Sequence, residues 1–228
     1  MISWLAHLYT AFGAVLALLA TLAVFDGRFR DAFLLLCATT FIDTTDGWLA
    51  RALDVKRRLP GYDGSRLDDI VDYLTYVFVP VLLVFQAGLL PARWGLAVGA
   101  LVLLASAYGF GQVEAKVSTS DYFFTGFPSY WNIVALYLYV WRLPPLVNAV
   151  LLAILAILVF VPIRYVYPSR TVFLRGPTLV LGAIWAALVI LAVWRLPDTT
   201  GPWLTLSLVF PVYYTLLSLY LHARQQTD

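Results

Sequence analysis

Long apolar segments constrain the fold of this chain more than any other feature. About 20 residues of apolar helix cross the hydrocarbon core of a bilayer. By that measure the sequence contains eight candidate segments, at Ser3–Phe25, Ala32–Leu53, Leu67–Leu89, Trp94–Gly111, Tyr130–Trp141, Pro145–Val161, Thr178–Leu196 and Trp203–Leu221. Because these segments are continuously apolar and lack a two-residue alternation, they predict helices rather than the strands of a barrel.

The composition supports the same class of protein. Of the 228 residues, 12% are charged, about half the share typical of soluble domains. The single cysteine, Cys37, excludes an internal disulfide, and a net charge of +2 does not favour a nucleic-acid partner. The N-terminus lacks the basic region of a cleavable signal peptide. The sequence therefore predicts an all-α, polytopic membrane bundle of about eight transmembrane helices, forming one domain over residues 1–228.

The basic residues predict the orientation of this bundle, because cytoplasmic loops carry an excess of Lys and Arg. With the N-terminus in the cytoplasm, ten basic residues lie inside: Arg51, Lys56, Arg57, Arg58, Arg66, Lys116, Arg164, Arg170, Arg175 and Arg224. Five lie outside: Arg28, Arg30, Arg93, Arg142 and Arg195. We therefore expect both termini to be cytoplasmic.

Acidic residues are few, and four of them lie close together in the chain. Asp43 and Asp46 are one turn apart at the end of the second apolar segment, and Asp68 and Asp72 are one turn apart at the start of the third. An Asp at mid-membrane costs about 2.5–3.5 kcal/mol on insertion scales, so a cationic ligand is expected. Four residues between the pairs allow the chain to reverse: Pro60, Gly61, Asp63 and Gly64. Two acidic helix faces can then oppose each other across a helical hairpin.

Four convergent carboxylates form an all-oxygen ligand set, which suits Mg²⁺ or Mn²⁺ rather than zinc. Gly47 and Ala50 lie on the same face as Asp43 and Asp46, and their small size leaves room for a bulky ligand. The alternative is structural: the acids cap helix ends or pair with nearby basic side chains, Arg51, Arg57, Arg58 and Arg66.

The acids belong to a longer pattern that resembles a known signature. Asp43-x₂-Asp46-Gly47-x₂-Ala50-Arg51, followed by Gly64-x₃-Asp68-x₃-Asp72, is similar to the motif of the CDP-alcohol phosphatidyltransferases. The twelve residues between Arg51 and Gly64 exceed the spacing of most of that family and resemble its bacterial phosphatidylcholine synthase branch. Further segments resemble the same branch, at residues 7–13, 73–80, 121–132 and 164–170.

This resemblance implies transfer of a phosphatidyl group from CDP-diacylglycerol to an alcohol with release of CMP. The basic residues predict that the motif lies at the cytoplasmic face, and the expected location is a bacterial inner membrane. The resemblance implies two divalent ions, Mn²⁺ or Mg²⁺, held by Asp43, Asp46, Asp68 and Asp72. It makes Asp72 the general base as well. Gly47, Ala50 and Gly64 are then expected to line the site for CDP-diacylglycerol. Arg51 either contacts a phosphate there or holds Asp54.

Choline is the expected acceptor, because of the long spacer and an aromatic loop. Choline is a quaternary ammonium, which cannot donate a hydrogen bond and is held by aromatic faces. The candidate cage is Tyr122, Tyr130 and Trp131, with Tyr73, Tyr76, Tyr165 and Tyr167 as a second set. The alternative for the loop is an interfacial aromatic belt. Arg164 and Arg170 either anchor a cytoplasmic loop or bind a phosphate.

Three other possibilities stay open at this stage. The acceptor alcohol can be serine, inositol or glycerol phosphate rather than choline. The chain can instead be a transporter of a cation or an amine, although acids on several distant spans are more typical of that class. A homodimer is also compatible with the sequence.

Overall fold

The computed structural model describes residues 2–112, 123–168, 171–198 and 201–225. Eleven α-helices occur in these ranges: α1 (Ile2–Phe25), α2 (Phe29–Ala52), α3 (Val55–Arg58), α4 (Gly64–Asp72), α5 (Val79–Gln86), α6 (Gly95–Gly111), α7 (Trp131–Trp141), α8 (Pro145–Leu158), α9 (Arg175–Arg195), α10 (Trp203–Ser207) and α11 (Val209–Gln225). A π-helical turn, Tyr73–Phe78, joins α4 to α5.

Each predicted apolar segment corresponds to helix, with boundaries within four residues of the prediction. Among the described helices, three are long and apolar enough to span a bilayer: Ser3–Phe25, Arg175–Arg195 and Trp203–Arg224. Helix α2 has the length but carries charges near both ends, whereas α6, α7 and α8 are apolar but shorter. The protein is thus a mostly helical membrane protein, and the number of eight spans stays a prediction.

The described chain departs from an all-helical fold at two short strands. β1 (Phe123–Thr125) and β2 (Arg164–Val166) pair antiparallel, with Phe124 opposite Tyr165. Aromatic and β-branched residues favour such pairing. Helical periodicity gave no sign of the sheet, because the two strands lie in loops that are about 40 residues apart in the chain.

The chain divides into two compact units, so a single domain over residues 1–228 stays a prediction. The first contains the described parts of Met1–Gly99 and Tyr130–Asn148. In it, α1 packs along α2. Small side chains at Ala17, Ala20 and Ala23 are buried on one face of α1, which lets helix backbones approach closely.

The second unit contains the described parts of Ala100–Ser129 and Ala149–Asp228. Here α11 packs against strand β2, and the buried Ser218 accepts a hydrogen bond from the Val166 backbone N–H at 3.1 Å. The hydroxyls of Thr178 on α9 and Tyr213 on α11 lie 2.8 Å apart. Polar contacts of this kind hold apolar helices together where the surrounding lipid gives no hydrophobic drive.

Candidate active site

Helix α2 places the first acidic pair against α1. Asp46 is 8% exposed, and the Thr10 hydroxyl donates a 2.7 Å hydrogen bond to its Oδ2. One residue earlier on each helix, the hydroxyls of Tyr9 and Thr45 lie 2.8 Å apart. These two contacts, between residues 36 apart in sequence, set the register of α1 on α2.

Helix α4 supplies the second acidic pair. It begins at Gly64, and Asp63 caps it by accepting hydrogen bonds from the backbone N–H groups of Ser65 and Arg66. The cap sets the start of the helix, and Asp68 and Asp72 follow one turn apart on one face.

Three of the four predicted ligands converge across the hairpin. One carboxylate oxygen from each of Asp43, Asp68 and Asp72 lies within 4.8 Å of the other two. Three half-buried carboxylates at this separation repel one another when ionised, and a divalent cation relieves that repulsion. The oxygen-only donor set fits Mg²⁺ or Mn²⁺. Asp46 lies outside this group, and its Oδ2 is hydrogen-bonded to Thr10 instead.

The basic residues nearby pair with acids outside the group. Arg57 forms a 3.5 Å ion pair with Asp54, and Arg66 forms a 3.0 Å ion pair with Asp63. Arg51 turns back along α2, so that its Nη1 lies 3.3 Å from where a Cβ on Gly47 would be. Arg57 and Arg66 thus pair with acids beside the motif, whereas Arg51 interacts electrostatically with the motif residue Asp46. The phosphate contact expected of Arg51 stays a prediction.

Tyr76 is a site residue whose contact with Asp43 the sequence analysis missed. Its side chain is 9% exposed, and its hydroxyl donates a 2.7 Å hydrogen bond to Asp43 Oδ2. Tyr76 lies in the π-helical turn that directly follows Asp72. Pro80 accounts for this turn, because it has no N–H to donate and its ring crowds the Tyr76 carbonyl four residues earlier. The sequence signal for this contact is the spacing of Pro80, which follows Tyr76 by four residues, as Tyr76 follows Asp72.

The predicted site for CDP-diacylglycerol is only partly open. Gly47 and Ala50 are half-exposed on α2. Gly64 is half-exposed as well, but it packs against α1, since a Cβ there would lie 2.7 Å from His7 Cε1. The absence of a side chain at Gly64 thus allows the imidazole ring of His7 to approach α4.

The three residues of the predicted choline cage differ in how the structure describes them. Tyr122 lies outside the described residues. Trp131 is 1% exposed, so its ring is enclosed by the protein at the start of α7. Tyr130 is half-exposed, and its ring centroid lies 6.4 Å from that of Tyr76. Since Tyr76 contacts Asp43, Tyr130 lies one aromatic ring away from the carboxylates.

The second aromatic set is split between the two units. Tyr73 and Tyr76 follow Asp72 in the first, and Tyr165 and Tyr167 lie in the second. The Tyr165 ring is buried, which raises the pKa of its phenol, and the Tyr167 ring stacks on Phe124 at 4.7 Å. The backbone N–H of Arg164 donates to His222 Nδ1 at 3.4 Å, and Arg170 lies outside the described residues.

Comparison with known proteins agrees with the geometry. The chain is 37% identical to "Phosphatidylcholine synthase" of Legionella pneumophila, over 96% of this chain and 88% of that protein. It is 38% identical to the protein of the same name from Legionella bozemanae, over 91% and 98%. The corresponding Pseudomonas aeruginosa protein is 35% identical, over 91% and 88%. Residues 3–163 match the sequence profile of CDP-alcohol phosphatidyltransferase, which includes all four motif aspartates. This chain therefore belongs to the CDP-alcohol phosphatidyltransferase family.

Proposed function

We propose that this protein transfers the phosphatidyl group of CDP-diacylglycerol to choline, producing phosphatidylcholine and CMP. The observation that carries the proposal is the convergence of Asp43, Asp68 and Asp72 within 4.8 Å, in a chain whose relatives bear the name phosphatidylcholine synthase. A diphosphate is strongly anionic, so carboxylates alone would repel it. The site requires divalent cations between the two, and its oxygen ligands suit them.

Asp43, Asp68 and Asp72 would hold a Mg²⁺ or Mn²⁺ ion, and Asp46 would complete a second site. When bound, such ions neutralise the diphosphate and polarise the phosphorus that is attacked. Tyr76 supports this role, because its hydrogen bond fixes one oxygen of Asp43 and so orients the carboxylate. The hydrogen bond from Thr10 does the same for Asp46.

Asp72 acts as the general base in the proposed reaction. Its carboxylate takes the proton of the choline hydroxyl, and the alcohol oxygen forms a new bond to the phosphorus of the phosphatidyl group. The bond from that phosphorus to the oxygen of CMP breaks, and its electron pair leaves with CMP. The Asp72 carboxylate lies within 4.8 Å of those of Asp43 and Asp68, which supports the proposal because the base would then be next to the diphosphate.

Choline recognition is assigned to the aromatic side chains next to the carboxylates. Tyr130 is half-exposed and its ring lies 6.4 Å from that of Tyr76, which contacts Asp43, so a quaternary ammonium at Tyr130 would lie one aromatic ring away from that carboxylate. The roles of Trp131 and of Tyr122, which lies outside the described residues, stay predictions. Because Trp131 is enclosed, its contribution would require the start of α7 to move.

The proposed location is the bacterial inner membrane, with both termini and the carboxylates on the cytoplasmic side. The excess of basic residues in the loops on that side supports this orientation. A cytoplasmic site also gives access to a water-soluble alcohol, while the lipid substrate arrives from the bilayer. Eight membrane spans within a single domain are part of the same proposal.

One assay tests the function directly. Purified protein is supplied with CDP-diacylglycerol, a divalent metal and one alcohol at a time: choline, serine, inositol or glycerol phosphate. We expect CMP release and a new phospholipid with choline. If a different alcohol is used and choline is not, the chain is still a transferase but the choline assignment is wrong. If no alcohol leads to CMP release, the transferase assignment is wrong as well, and transport of an amine into vesicles is the next measurement.

A further inference from the structure

A buried histidine lies beside the site without a partner for one of its ring nitrogens. His7 lies on α1, one turn before Thr10, and is 8% exposed. Within the part of the chain that the structure describes, its Nε2 has no hydrogen-bond partner. Most buried polar side-chain atoms are hydrogen-bonded, so an exception of this kind requires an explanation. A ligand that supplies the missing hydrogen bond would provide one.

The position of His7 follows from the packing of three helices. Helices α1 and α2 run antiparallel, with Thr10 beside Asp46. His7 lies one turn before Thr10 on α1, and Ala50 lies one turn after Asp46 on α2. In antiparallel helices these two residues are therefore at the same level. On the other side, His7 Cε1 would lie 2.7 Å from a Cβ on Gly64. His7 is thus at the level of two small motif residues, one turn from the carboxylates.

Two other aromatic side chains hold the imidazole in place. Ring centroids are separated by 5.8 Å between His7 and Trp4, and by 4.4 Å between His7 and Tyr62. Trp4 and Tyr62 also contact each other at 5.3 Å, and both are exposed, at 50% and 41%. Tyr62 belongs to the twelve-residue spacer between Arg51 and Gly64. The spacer thus reaches back to α1 and encloses His7.

We propose that His7 recognises the cytidine portion of CDP-diacylglycerol, with Nε2 hydrogen-bonded to the polar edge of the base once the enclosing Tyr62 ring moves aside. This inference rests on the proposed function. The diphosphate must lie at the carboxylates and the acyl chains in the bilayer, so the nucleoside extends toward the polar face. His7 lies on that side, where Trp4 and Tyr62 are exposed. Cytosine carries an amino donor as well as carbonyl and ring-nitrogen acceptors, so it pairs with Nε2 in either imidazole tautomer.

Nucleotide binding and stability together test this role. The ligand is CDP, and binding is measured by calorimetry on the purified protein with Mn²⁺. For His7→Leu we expect CDP to bind about 3- to 10-fold more weakly, the loss of one hydrogen bond. The thermal midpoint should stay the same or rise, because the change removes an unpartnered buried nitrogen.

Two matched variants and one kinetic constant sharpen the test. His7→Gln keeps a polar atom near the place of Nε2 and should recover most of the affinity. His222→Leu alters the other histidine of the chain and should leave CDP binding unchanged. The choline KM of His7→Leu should equal that of the parent.

Three results would overturn the inference. His7→Leu could bind CDP as tightly as the parent protein. His7→Leu could instead lose CDP affinity while its thermal midpoint falls, with no recovery of CDP affinity in His7→Gln. That result would indicate a structural role for His7. Finally, His7→Leu could change only the choline KM. A parent protein that turns over no CDP-diacylglycerol and binds no CDP would overturn the proposed function as well.

Discussion

The hydrogen bond from Tyr76 to Asp43 leads to a quantitative prediction about metal binding. Tyr76→Phe removes one hydroxyl and leaves the ring in place. The bond that is lost is 2.7 Å long and nearly buried, and it donates to a carboxylate. Hydrogen bonds to charged groups are worth about 1.5–3 kcal/mol, or about 10- to 150-fold in an equilibrium constant. Loss of an outer partner of a metal ligand typically weakens metal affinity by about 10–100-fold.

We therefore expect the half-saturating Mn²⁺ concentration of Tyr76→Phe to rise by about 10–100-fold. The measurement is CMP release as a function of buffered Mn²⁺, with both substrates saturating. Because Phe keeps an aromatic face, the choline KM at saturating metal should change little. This combination separates the effect of the hydroxyl on Asp43 from any contact between the ring and choline.

Tyr139→Phe is the matched control. Tyr139 packs on Phe29 and Phe33, near the opposite end of α2 from the carboxylates, with ring centroids 5.3 and 5.5 Å away. The same removal of a hydroxyl there should leave the Mn²⁺ dependence unchanged. If Tyr76→Phe retains the metal dependence of the parent, or shifts it no more than Tyr139→Phe, the idea that Tyr76 orients a metal ligand is refuted.

The remaining predictions concern the base, the metal, the acceptor and the topology. Asp72→Asn should lower turnover by at least about 10²–10⁴-fold while CDP-diacylglycerol still binds; near-normal turnover would place the base elsewhere. EDTA should abolish CMP release and Mn²⁺ or Mg²⁺ should restore it, whereas turnover in chelator contradicts a metal site. Tyr130→Leu should raise the choline KM about 2- to 30-fold with little effect on the lipid KM; an unchanged choline KM moves the cage away from Tyr130. A cysteine at the exposed Arg57 should react with an impermeant reagent only in opened cells and one at the exposed Arg93 in intact cells, and the reverse pattern inverts the topology.

Much of the helical architecture could be predicted because it depends on local properties. Apolar length and composition identify the helices, and the positions of breakers set their ends. The end of α5 is an exception: Gly88, at φ +68°, closes the helix with its N–H bonded to the Phe85 carbonyl at 3.1 Å. The predicted segment continued to Leu89, because hydropathy contains no information about a residue with a left-handed backbone conformation.

The sequence by itself also determined which acids share a helix face. Residues three or four apart lie on one side of any α-helix, so the pairs Asp43/Asp46 and Asp68/Asp72 need no further information. The match of the motif to its family depends on the same local spacing. Helical periodicity does not state which face of one helix meets which face of another.

Only the tertiary structure decided how these faces meet. It brought Asp43 together with Asp68 and Asp72, and directed Asp46 toward Thr10 on α1. A π-helical turn placed Tyr76 on Asp43, where a regular α-helical turn would have rotated its side chain differently. Each contact joins residues about 25 to 36 apart in the chain, and such pairs meet only when helices pack in one register. Side-chain volume sets that register, and the approach of His7 to Gly64 depends on a missing Cβ.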